Sequence, residues 1–361
     1  MWWLILATAF GWEERGMDGV GTGRTLEPAA LFRPTAPAWR AARVSTVPLD
    51  LGMVARETAS TIRRLRSEGD LMAQPAMLGE LGVSMDDVLQ TLDLISRVSY
   101  EDRGMAYQRL EDPAWIASQF WALRWYPDRE AAAARGVDLY SDAIRLTKYV
   151  VYTVEGSPVK TDRFDTALYA VPRDESDGSP GVRARLTRME VYAGAFEEGG
   201  QAEGLAQPLV WLTRDGSNQA LLQGTIRVNL PNGSSSLYNV HQNNGVAWDP
   251  SQRNLSEQPR FWYFRRVEAI LGVEQTPLRP RAAVAGDVYN LGLGKLIALE
   301  WPGEHGPELH LVVLADTGGA FQPNLFQLDY LAGTFPSKEA YQRWAEQTPA
   351  QVPATVLVRR R

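Results

Sequence analysis

The sequence predicts a mainly β protein in which a helical N-terminal region leads into a body of strands arranged as a barrel. Apolar residues recur at helical spacing in the first 135 residues, whereas β-branched and aromatic runs separated by turn signals dominate from Leu146 onward. The chain has 361 residues and is 45% hydrophobic and 22% charged, which is typical of a globular protein with two domains or with one large domain carrying an insertion.

The first 48 residues are expected to form a signal-like segment and a linker. Met1–Phe10 is a short apolar run in which Ala7 and Ala9 stand like a small-residue cleavage site, without the positive charge of a secretion signal. A truncated signal peptide and an ordinary hydrophobic segment both remain open. Residues 24–48 are rich in proline and alanine and predict a loop.

Helical signals define a second region, residues 49–135. A helix is predicted to begin at Ser84, with Asp87 at the capping-box position, and another to begin at Asp112 with proline at its first position. The expected apolar faces of the three helices are Met53, Val54, Ile62 and Leu65; Val88, Leu92 and Ile95; and Ile116, Phe120 and Leu123.

Strand signals follow. The turn Pro231-Asn232-Gly233-Ser234 predicts a hairpin between Ala220–Leu230 and Ser236–Val240. A polar, turn-rich loop is expected from Arg173 to Gly181, and a late helix is expected after Ser337. The other predicted strands are Tyr149–Val154, Leu168–Val171, Ile297–Glu300, Leu309–Leu314 and Thr355–Val358.

Composition excludes several classes of function. The chain has no cysteine, so disulfides, thiolate metal sites and a lipid-anchored N-terminus are not expected. Its three histidines, His241, His305 and His310, lack metal-ligand spacing, and no metal or cofactor is predicted. The net charge of −6 is spread along the chain, without the basic face that nucleic acid requires, and no apolar run is long enough to span a bilayer.

The sharpest local feature is a buried-type strand, Leu311–Ala315, that ends in Asp316-Thr317-Gly318-Gly319. An aspartic protease uses such a loop, but it needs two facing aspartates that share a proton, and this chain has one Asp-Thr-Gly. A second interpretation uses two further aspartates at strand ends, Asp287 and Asp329.

With these three aspartates, the C-terminal region resembles the three-aspartate domain of the membrane-bound lytic transglycosylase A family. The likeness extends over roughly residues 144–335. Each motif alone is weak, but they follow one another in the family's order. The matching segments are Leu146–Val150 to Gly156-Ser157 with Thr161, Phe164 and Leu168-Tyr169; Leu222–Thr225; Leu230–Gly233; Asn244-Gly245; and Phe261–Phe264.

The resemblance implies a double-psi β-barrel built from residues 136–165 and 246–361, which include the three-aspartate segment. A second β domain would be inserted at 166–245, with a glycan groove between the two. It also implies export to the periplasm or cell envelope, with peptidoglycan glycan strands and possible other cell-wall enzymes as partners.

The implied activity is non-hydrolytic cleavage of the β-1,4 bond between N-acetylmuramic acid and N-acetylglucosamine, which leaves a 1,6-anhydro sugar. By position, Asp329 matches the catalytic acid, and Asp316 and Asp287 are expected to support it. One carboxylate suffices because the sugar's own C6 hydroxyl is a tethered nucleophile. The expected substrate-binding residues are Thr147, Tyr149, Gln223, Asn244, Gly318 and Gly319.

Four departures from the family pattern are expected to lie along the groove. Lys148 and Ile226 stand where the family has glycine, Val246 where it has histidine, and Gln322 where it has lysine. These departures leave open the alternative that the protein is a relative that binds glycan without cleaving it. A polysaccharide hydrolase on the same barrel is a further alternative, and it would need a second carboxylate near Asp329.

Overall fold

The computed structural model describes residues 11–36, 39, 43–173, 181–247, 249, 251–252, 254–303, 306–321 and 323–360. Met1–Phe10, His305, Gln322 and most of the loop predicted from Arg173 to Gly181 lie outside the described residues. The chain divides into two compact units. Unit 1 comprises Met1–Tyr149, Leu271–Ala332 and Ala345–Arg361, and unit 2 comprises Val150–Ile270 and Gly333–Trp344. The segment 166–245, predicted as an inserted domain, lies within unit 2, which extends beyond it at both ends.

The described residues form α-helices mainly in the first half of the chain and strands throughout it. The helices are α1 (Pro28–Leu31), α2 (Pro48–Glu68), α3 (Met85–Glu101), α4 (Pro113–Gln119), α5 (Arg129–Ala134), α6 (Arg188–Tyr192), α7 (Arg214–Gln223) and α8 (Lys338–Glu346). The strands are β1 (Trp12–Arg15), β2 (Gly21–Leu26), β3 (Phe32–Thr35), β4 (Arg43–Val44), β5 (Phe120–Trp125), β6 (Ile144–Glu155), β7 (Thr166–Tyr169), β8 (Pro208–Leu212), β9 (Thr225–Asn229), β10 (Ser235–Asn243), β11 (Trp262–Val267), β12 (Ala283–Ala285), β13 (Leu296–Gly303), β14 (Gly306–Asp316), β15 (Gln327–Phe335), β16 (Gln351–Val352) and β17 (Ala354–Arg359).

The helix starts predicted from sequence are confirmed. In α3, the Ser84 hydroxyl accepts from the Asp87 backbone N–H at 3.1 Å, and the Asp87 carboxylate accepts from the Ser84 N–H at 2.9 Å. In α4, Asp112 accepts from the N–H groups of Ala114 and Trp115. Each side chain satisfies backbone donors that have no partner within the helix, which is why these starts can be recognised locally.

The sheet of unit 1 contains the strands that carry the three aspartates. Its hydrogen-bonded order runs β6-β15-β12-β14-β13-β17-β5-β3, with β16 beside β6 and β4 beside β14. β12 is parallel to β14 and antiparallel to β15. Among the described strands this order does not return on itself, so the double-psi barrel stays a prediction, whereas a mainly β architecture with helices is confirmed.

Unit 2 contains the sheet β11-β10-β9 with the second half of β6, and a separate pair, β7-β8. β9 and β10 form the predicted hairpin. Its turn has Gly233 at φ 81°, and Asn232 Oδ1 accepts from the Ser234 N–H at 3.0 Å. Glycine suits this position because it adopts positive φ without strain.

Three predictions of local structure are wrong. The described residues between 24 and 48 include the end of β2, α1, β3 and β4 where a loop was predicted, because β3 pairs with distant β5 and β4 with distant β14. Phe120 and Leu123 lie on β5 rather than on the stripe of the third helix, since β5 pairs with β17. Ala220–Gln223 belongs to α7 rather than to the hairpin strand, because Thr213 caps a helix there. None of the described helices is long and apolar enough to cross a membrane.

Candidate active site

Two of the predicted aspartates flank a single residue of β12. Ala285 is aligned with Asp316 of β14 on one side and with Asp329 of β15 on the other. Two strand spacings separate the backbones of the two aspartates, so these lie about 10 Å apart. Asp316 and Asp329 are thirteen positions apart in the sequence, and the turn after β14 lies between them. The two carboxyl groups interact electrostatically.

Asp316 is held in place by two donors. Its Oδ1 accepts from the Thr317 N–H at 2.9 Å, and its Oδ2 accepts from the Tyr149 hydroxyl at 3.3 Å. Burial raises the pKa of Asp316 to about 7, although these two hydrogen bonds lower it. The nearby charge of Asp329 also raises the pKa of Asp316. Both oxygens are thus engaged, which is consistent with the supporting role predicted for this residue.

Asp329 has a different environment. Its Oδ1 is buried and has no hydrogen-bond partner among the described residues. Burial raises the pKa of Asp329 to about 6, while the nearby Thr147 hydroxyl and the charges of Arg145 and Lys148 lower it. A buried carboxylate oxygen without a donor is costly to ionise, so the protonated acid is favoured. Asp329 therefore holds a proton more readily than a solvated aspartate.

Asp287 ties loops together and lies almost completely buried. Its carboxylate accepts from the Asn290 N–H at 3.1 Å, from the Asn290 side-chain amide at 2.7 Å and from the Asn324 N–H at 2.7 Å. Burial raises the pKa of Asp287, although the hydrogen bonds from these donors lower it. Because all three donors lie in the segments that follow β12 and β14, Asp287 fixes the loops beside the other two aspartates.

Strand β6 supplies the remaining groups of unit 1. The Thr147 hydroxyl donates to the Leu328 carbonyl at 3.3 Å and accepts from the Gln327 amide at 3.0 Å. Lys148 donates to the Pro349 carbonyl at 2.7 Å, and burial lowers the pKa of its ammonium while Asp329 raises it. No sequence motif marks Gln327 or Arg145 as a site residue. Gln327 stands two residues before Asp329, so the alternation of a strand places it on the same face.

Gly318 and Gly319 follow Asp316 directly. Apart from the adjoining residues, no atom of the described part of the chain lies within 4 Å of where a Cβ on either residue would stand, so both leave space at the end of β14. A ligand can therefore approach the backbone next to Asp316, which is a common use of glycine.

Two predicted substrate-binding residues lie in unit 2. Gln223, at the end of α7, accepts from the Val150 N–H at 3.2 Å. Asn244 is 1% exposed, and its amide donates to the carbonyls of Leu186 and Pro259 while its oxygen accepts from the Phe261 N–H. This geometry fits a structural role for Asn244 rather than direct contact with a ligand.

The departures from the family pattern have different surroundings. Lys148 is part of the aspartate site, as described above. Ile226 is 0% exposed on β9, so the expectation that it lines a groove is wrong: its side chain belongs to the core of unit 2. Val246 is partly buried, and its carbonyl accepts from the Arg260 side chain. Gln322 lies outside the described residues.

The described residues contain no group of three or more His, Asp or Glu side chains placed to hold a metal ion. Asp316 ends β14, Asp329 lies on β15 and Asp287 follows β12, and Asp287 and Asp316 accept from protein donors. The arrangement fits proton transfer by a carboxyl group, for which no metal is required.

No family model and no curated protein matches the sequence, but solved structures match the fold. The membrane-bound lytic murein transglycosylase from Agrobacterium tumefaciens matches with a TM-score of 0.60 at 15% identity, over 90% of this chain and 97% of that one. E. coli MltA with bound chitohexaose gives 0.56 at 17% identity, over 91% and 94%. MltA from Neisseria gonorrhoeae gives 0.56 at 15% identity, over 97% and 96%. The chain therefore has the fold of these lytic murein transglycosylases.

Proposed function

We propose that this chain, which has the MltA-type fold, is a peptidoglycan lytic transglycosylase of the cell envelope with Asp329 as its single general acid and base. The substrate would be the bond between N-acetylmuramic acid and N-acetylglucosamine. Three solved structures with this fold are of a lytic murein transglycosylase or of MltA, and one of them holds chitohexaose. The observation that carries the proposal for this chain is the Asp329 carboxyl, with its raised pKa and its unpartnered oxygen.

The first step transfers the proton of Asp329 to the glycosidic oxygen as the C1–O4 bond breaks. The N-acetylglucosamine hydroxyl leaves with that proton, and positive charge develops at C1 of the muramic acid ring. Ionised Asp329 faces this charge. The raised pKa of Asp329 favours the donation, because it keeps a fraction of the carboxyl protonated near neutral pH.

In the second step the C6 hydroxyl of the same ring attacks C1 and returns its proton to Asp329. The 1,6-anhydro bond forms, and the carboxyl regains its starting state without water. Intramolecular attack has a low entropic cost because the nucleophile is already tethered. This is why one carboxyl group suffices where a hydrolase uses two.

Several residues of unit 1 have roles in this proposal. Thr147 and Tyr149 on β6, together with the open backbone at Gly318 and Gly319, would contact the sugar around the scissile bond. Gln223 of unit 2 stays a predicted substrate-binding residue. Asp316 would hold Tyr149, and Asp287 would hold the loops after β12 and β14. The proposal includes a double-psi arrangement for the strands of unit 1, since β12 lies between a parallel and an antiparallel neighbour.

Lys148 favours a second candidate function, a glycan-binding protein without catalysis. Its ammonium lowers the pKa of Asp329 and so stabilises the ionised form, which cannot donate a proton. The raised pKa that remains, about 6, is the reason to prefer the catalytic function.

Mass spectrometry of products from purified peptidoglycan tests the two candidates. Wild type should release anhydromuropeptides, and Asp329→Asn, which keeps the size of the side chain, should release none. Asp138→Asn, an exposed position, is the matched control and should behave like wild type. Intact strands that sediment with the wild-type protein would favour the binding function. Products that carry ordinary reducing ends, formed by addition of water, in place of 1,6-anhydro ends would establish a hydrolase instead.

A further inference from the structure

The hairpin of β1 and β2 lies in unit 1 and has no role in the proposed function. Among the described strands, β1 and β2 pair with each other and not with the large sheet. A two-stranded hairpin is at best marginally stable in water, so side-chain contacts with the rest of unit 1 must hold it. Those contacts lead to the loops after β12 and β14, which Asp287 joins.

The side chain of Asn290, which is fully buried in the loop after β12, binds the backbone of β1. Its Oδ1 accepts from the Arg15 N–H at 2.7 Å, and its Nδ2 donates to the Arg15 carbonyl at 2.9 Å. Both backbone groups of Arg15 are thus satisfied, as they would be by a neighbouring strand. The same Nδ2 also donates to Asp287 at 2.7 Å. One buried amide therefore connects β1 with the aspartate that fixes the loops.

The side chain of Arg24 connects β2 with the loop after β14. Its guanidinium donates to both carboxylate oxygens of Asp128, at 2.5 and 2.8 Å. The backbone N–H of Asp128 donates in turn to the Leu325 carbonyl at 3.1 Å. Leu325 follows Asn324, whose N–H donates to Asp287. A bidentate arginine–carboxylate pair fixes orientation as well as distance, so Arg24 constrains this loop from the hairpin.

Glu14 of β1 places a second carboxylate beside Arg24. It is 4% exposed and accepts from Nη1 of Arg24 at 3.1 Å. Burial raises the pKa of Glu14 while Arg24 lowers it, and the charges of Asp128 and Asp287 also raise it. The hairpin therefore lies within electrostatic reach of Asp287. Loss of Arg24 would leave two buried carboxylates, Glu14 and Asp128, without this cation, and such groups separate or take up water.

We infer that Arg24 is a positioning residue of the aspartate site: together with Asn290 it connects the β1–β2 hairpin to the loops after β12 and β14 and keeps those loops in place for catalysis. The inference rests on the proposed function, because it takes the site to be catalytic. It adds to that function a group that lies outside the strands of the three aspartates. Loss of Arg24 should loosen the two loops and slow the chemical step.

Two measurements on Arg24→Gln test this inference, and one of them requires no catalysis. Hydrogen–deuterium exchange with mass spectrometry should show about tenfold faster exchange in segments 286–292 and 323–326 than in wild type, with little change in β13 and β17. Release of anhydromuropeptides should show a kcat lowered about tenfold with KM nearly unchanged, because the chemical step depends on geometry. Arg56→Gln breaks an exposed ion pair on α2 and is the matched control, which should behave like wild type.

Arg24→Lys provides the conservative variant. Lysine keeps the positive charge but cannot form two parallel bonds with Asp128, so kcat and the exchange of both loops should lie between those of wild type and Arg24→Gln. Circular dichroism melting of each variant shows that it is folded. If Arg24→Gln does not fold, Arg24→Lys is compared with wild type in its place, with smaller changes expected in the same directions.

The outcomes separate this inference from the proposed function. If the folded Arg24 variants match Arg56→Gln in kcat and in the exchange of both loops, the inference fails, whatever products the wild type forms. Faster exchange spread evenly over the chain would also overturn it, since Arg24 would then stabilise the fold as a whole. If wild type gives no anhydro products but exchange of the two loops still depends on Arg24, the hairpin's hold on the loops stands and the catalytic proposal falls.

Discussion

Asp316 and Asp329 are aligned with the same residue, Ala285, from the two neighbouring strands of β12. This alignment brings two carboxyl groups with raised pKa values to one edge of the sheet. Their hydrogen bonds distinguish them. Asp316 accepts from Thr317 and Tyr149, whereas Asp329 keeps one oxygen unpartnered among the described residues. This difference is what the proposed function assigns to two roles, support for Asp316 and proton exchange for Asp329.

The pH dependence of activity should follow Asp329. Because its raised pKa is about 6, Asp329 is almost fully protonated well below that pH, and the protonated fraction falls as the pH rises through it. We expect kcat/KM for anhydromuropeptide release to be highest below about pH 6 and to fall about tenfold per pH unit well above it. A profile from pH 4.5 to 8 measures this. Activity that rises between pH 6 and 8 would rule out Asp329 as the acid.

Replacing Lys148 should raise the pKa of Asp329. Lys148→Gln removes the positive charge that stabilises the ionised carboxylate, while its amide can still donate to the Pro349 carbonyl. The expected increase is up to about one pH unit. Titration of ¹³C-labelled aspartate carboxyl groups by NMR measures it, with exposed Lys338→Gln as control. An unchanged Asp329 titration would mean that the two groups do not interact in solution.

Removing the Tyr149 hydroxyl should act on Asp316. Its hydrogen bond favours the ionised carboxylate, so Tyr149→Phe should raise the pKa of Asp316 above its value of about 7. The same NMR titration resolves this change. Tyr100→Phe is the control because Tyr100 is 71% exposed. If the pKa of Asp316 falls in Tyr149→Phe, the hydrogen bond is not the dominant effect of the tyrosine.

Asp287 should be the most important of the three aspartates for stability. Asp287→Ala leaves the two donors of Asn290 and the N–H of Asn324 without an acceptor in a buried place. We expect the free energy of unfolding to fall by about 3 kcal/mol, as measured by urea denaturation. Asp287→Asn, which keeps one acceptor oxygen, should lose less, and exposed Asp138→Ala should lose almost nothing. Equal losses in the two Asp287 variants would contradict this account.

Lys295 should destabilise the folded protein at neutral and acidic pH. Its side chain is 1% exposed and its Nζ has no hydrogen-bond partner among the described residues, and burial lowers its pKa from 10.5 to about 7. Between these two pH values the unfolded chain binds a proton that the folded chain does not. The free energy of unfolding therefore falls as the pH drops from 10.5 to 7, and the loss reaches its full size below pH 7. At about 1.4 kcal/mol per pKa unit the full penalty is on the order of 5 kcal/mol.

Lys295→Met, of similar length, should therefore raise the urea midpoint, and the gain should be larger at pH 6 than at pH 9. Exposed Lys338→Met is the control, with no gain at either pH. A gain that is equal at both values would show that packing, not charge, limits stability at this position.

The sequence by itself determined the features that depend on neighbours a few residues apart. The caps at Ser84 and Asp112 and the turn at Gly233 are made of hydrogen bonds and φ values within short segments, so their residue types identify them. The ordered motifs and the three aspartates also predicted a fold that the solved structures match.

Only the tertiary structure decided the features that depend on distant partners. Phe120 lies on a strand because β5 pairs with β17, more than 200 residues away, and that pairing outweighs the local helical pattern. The alignment of Asp316 and Asp329 on Ala285 depends on the parallel pairing of β12 with β14, which no local signal specifies. Burial, and with it the raised pKa of Asp329 and the lowered pKa of Lys295, exists only once those long-range contacts have formed.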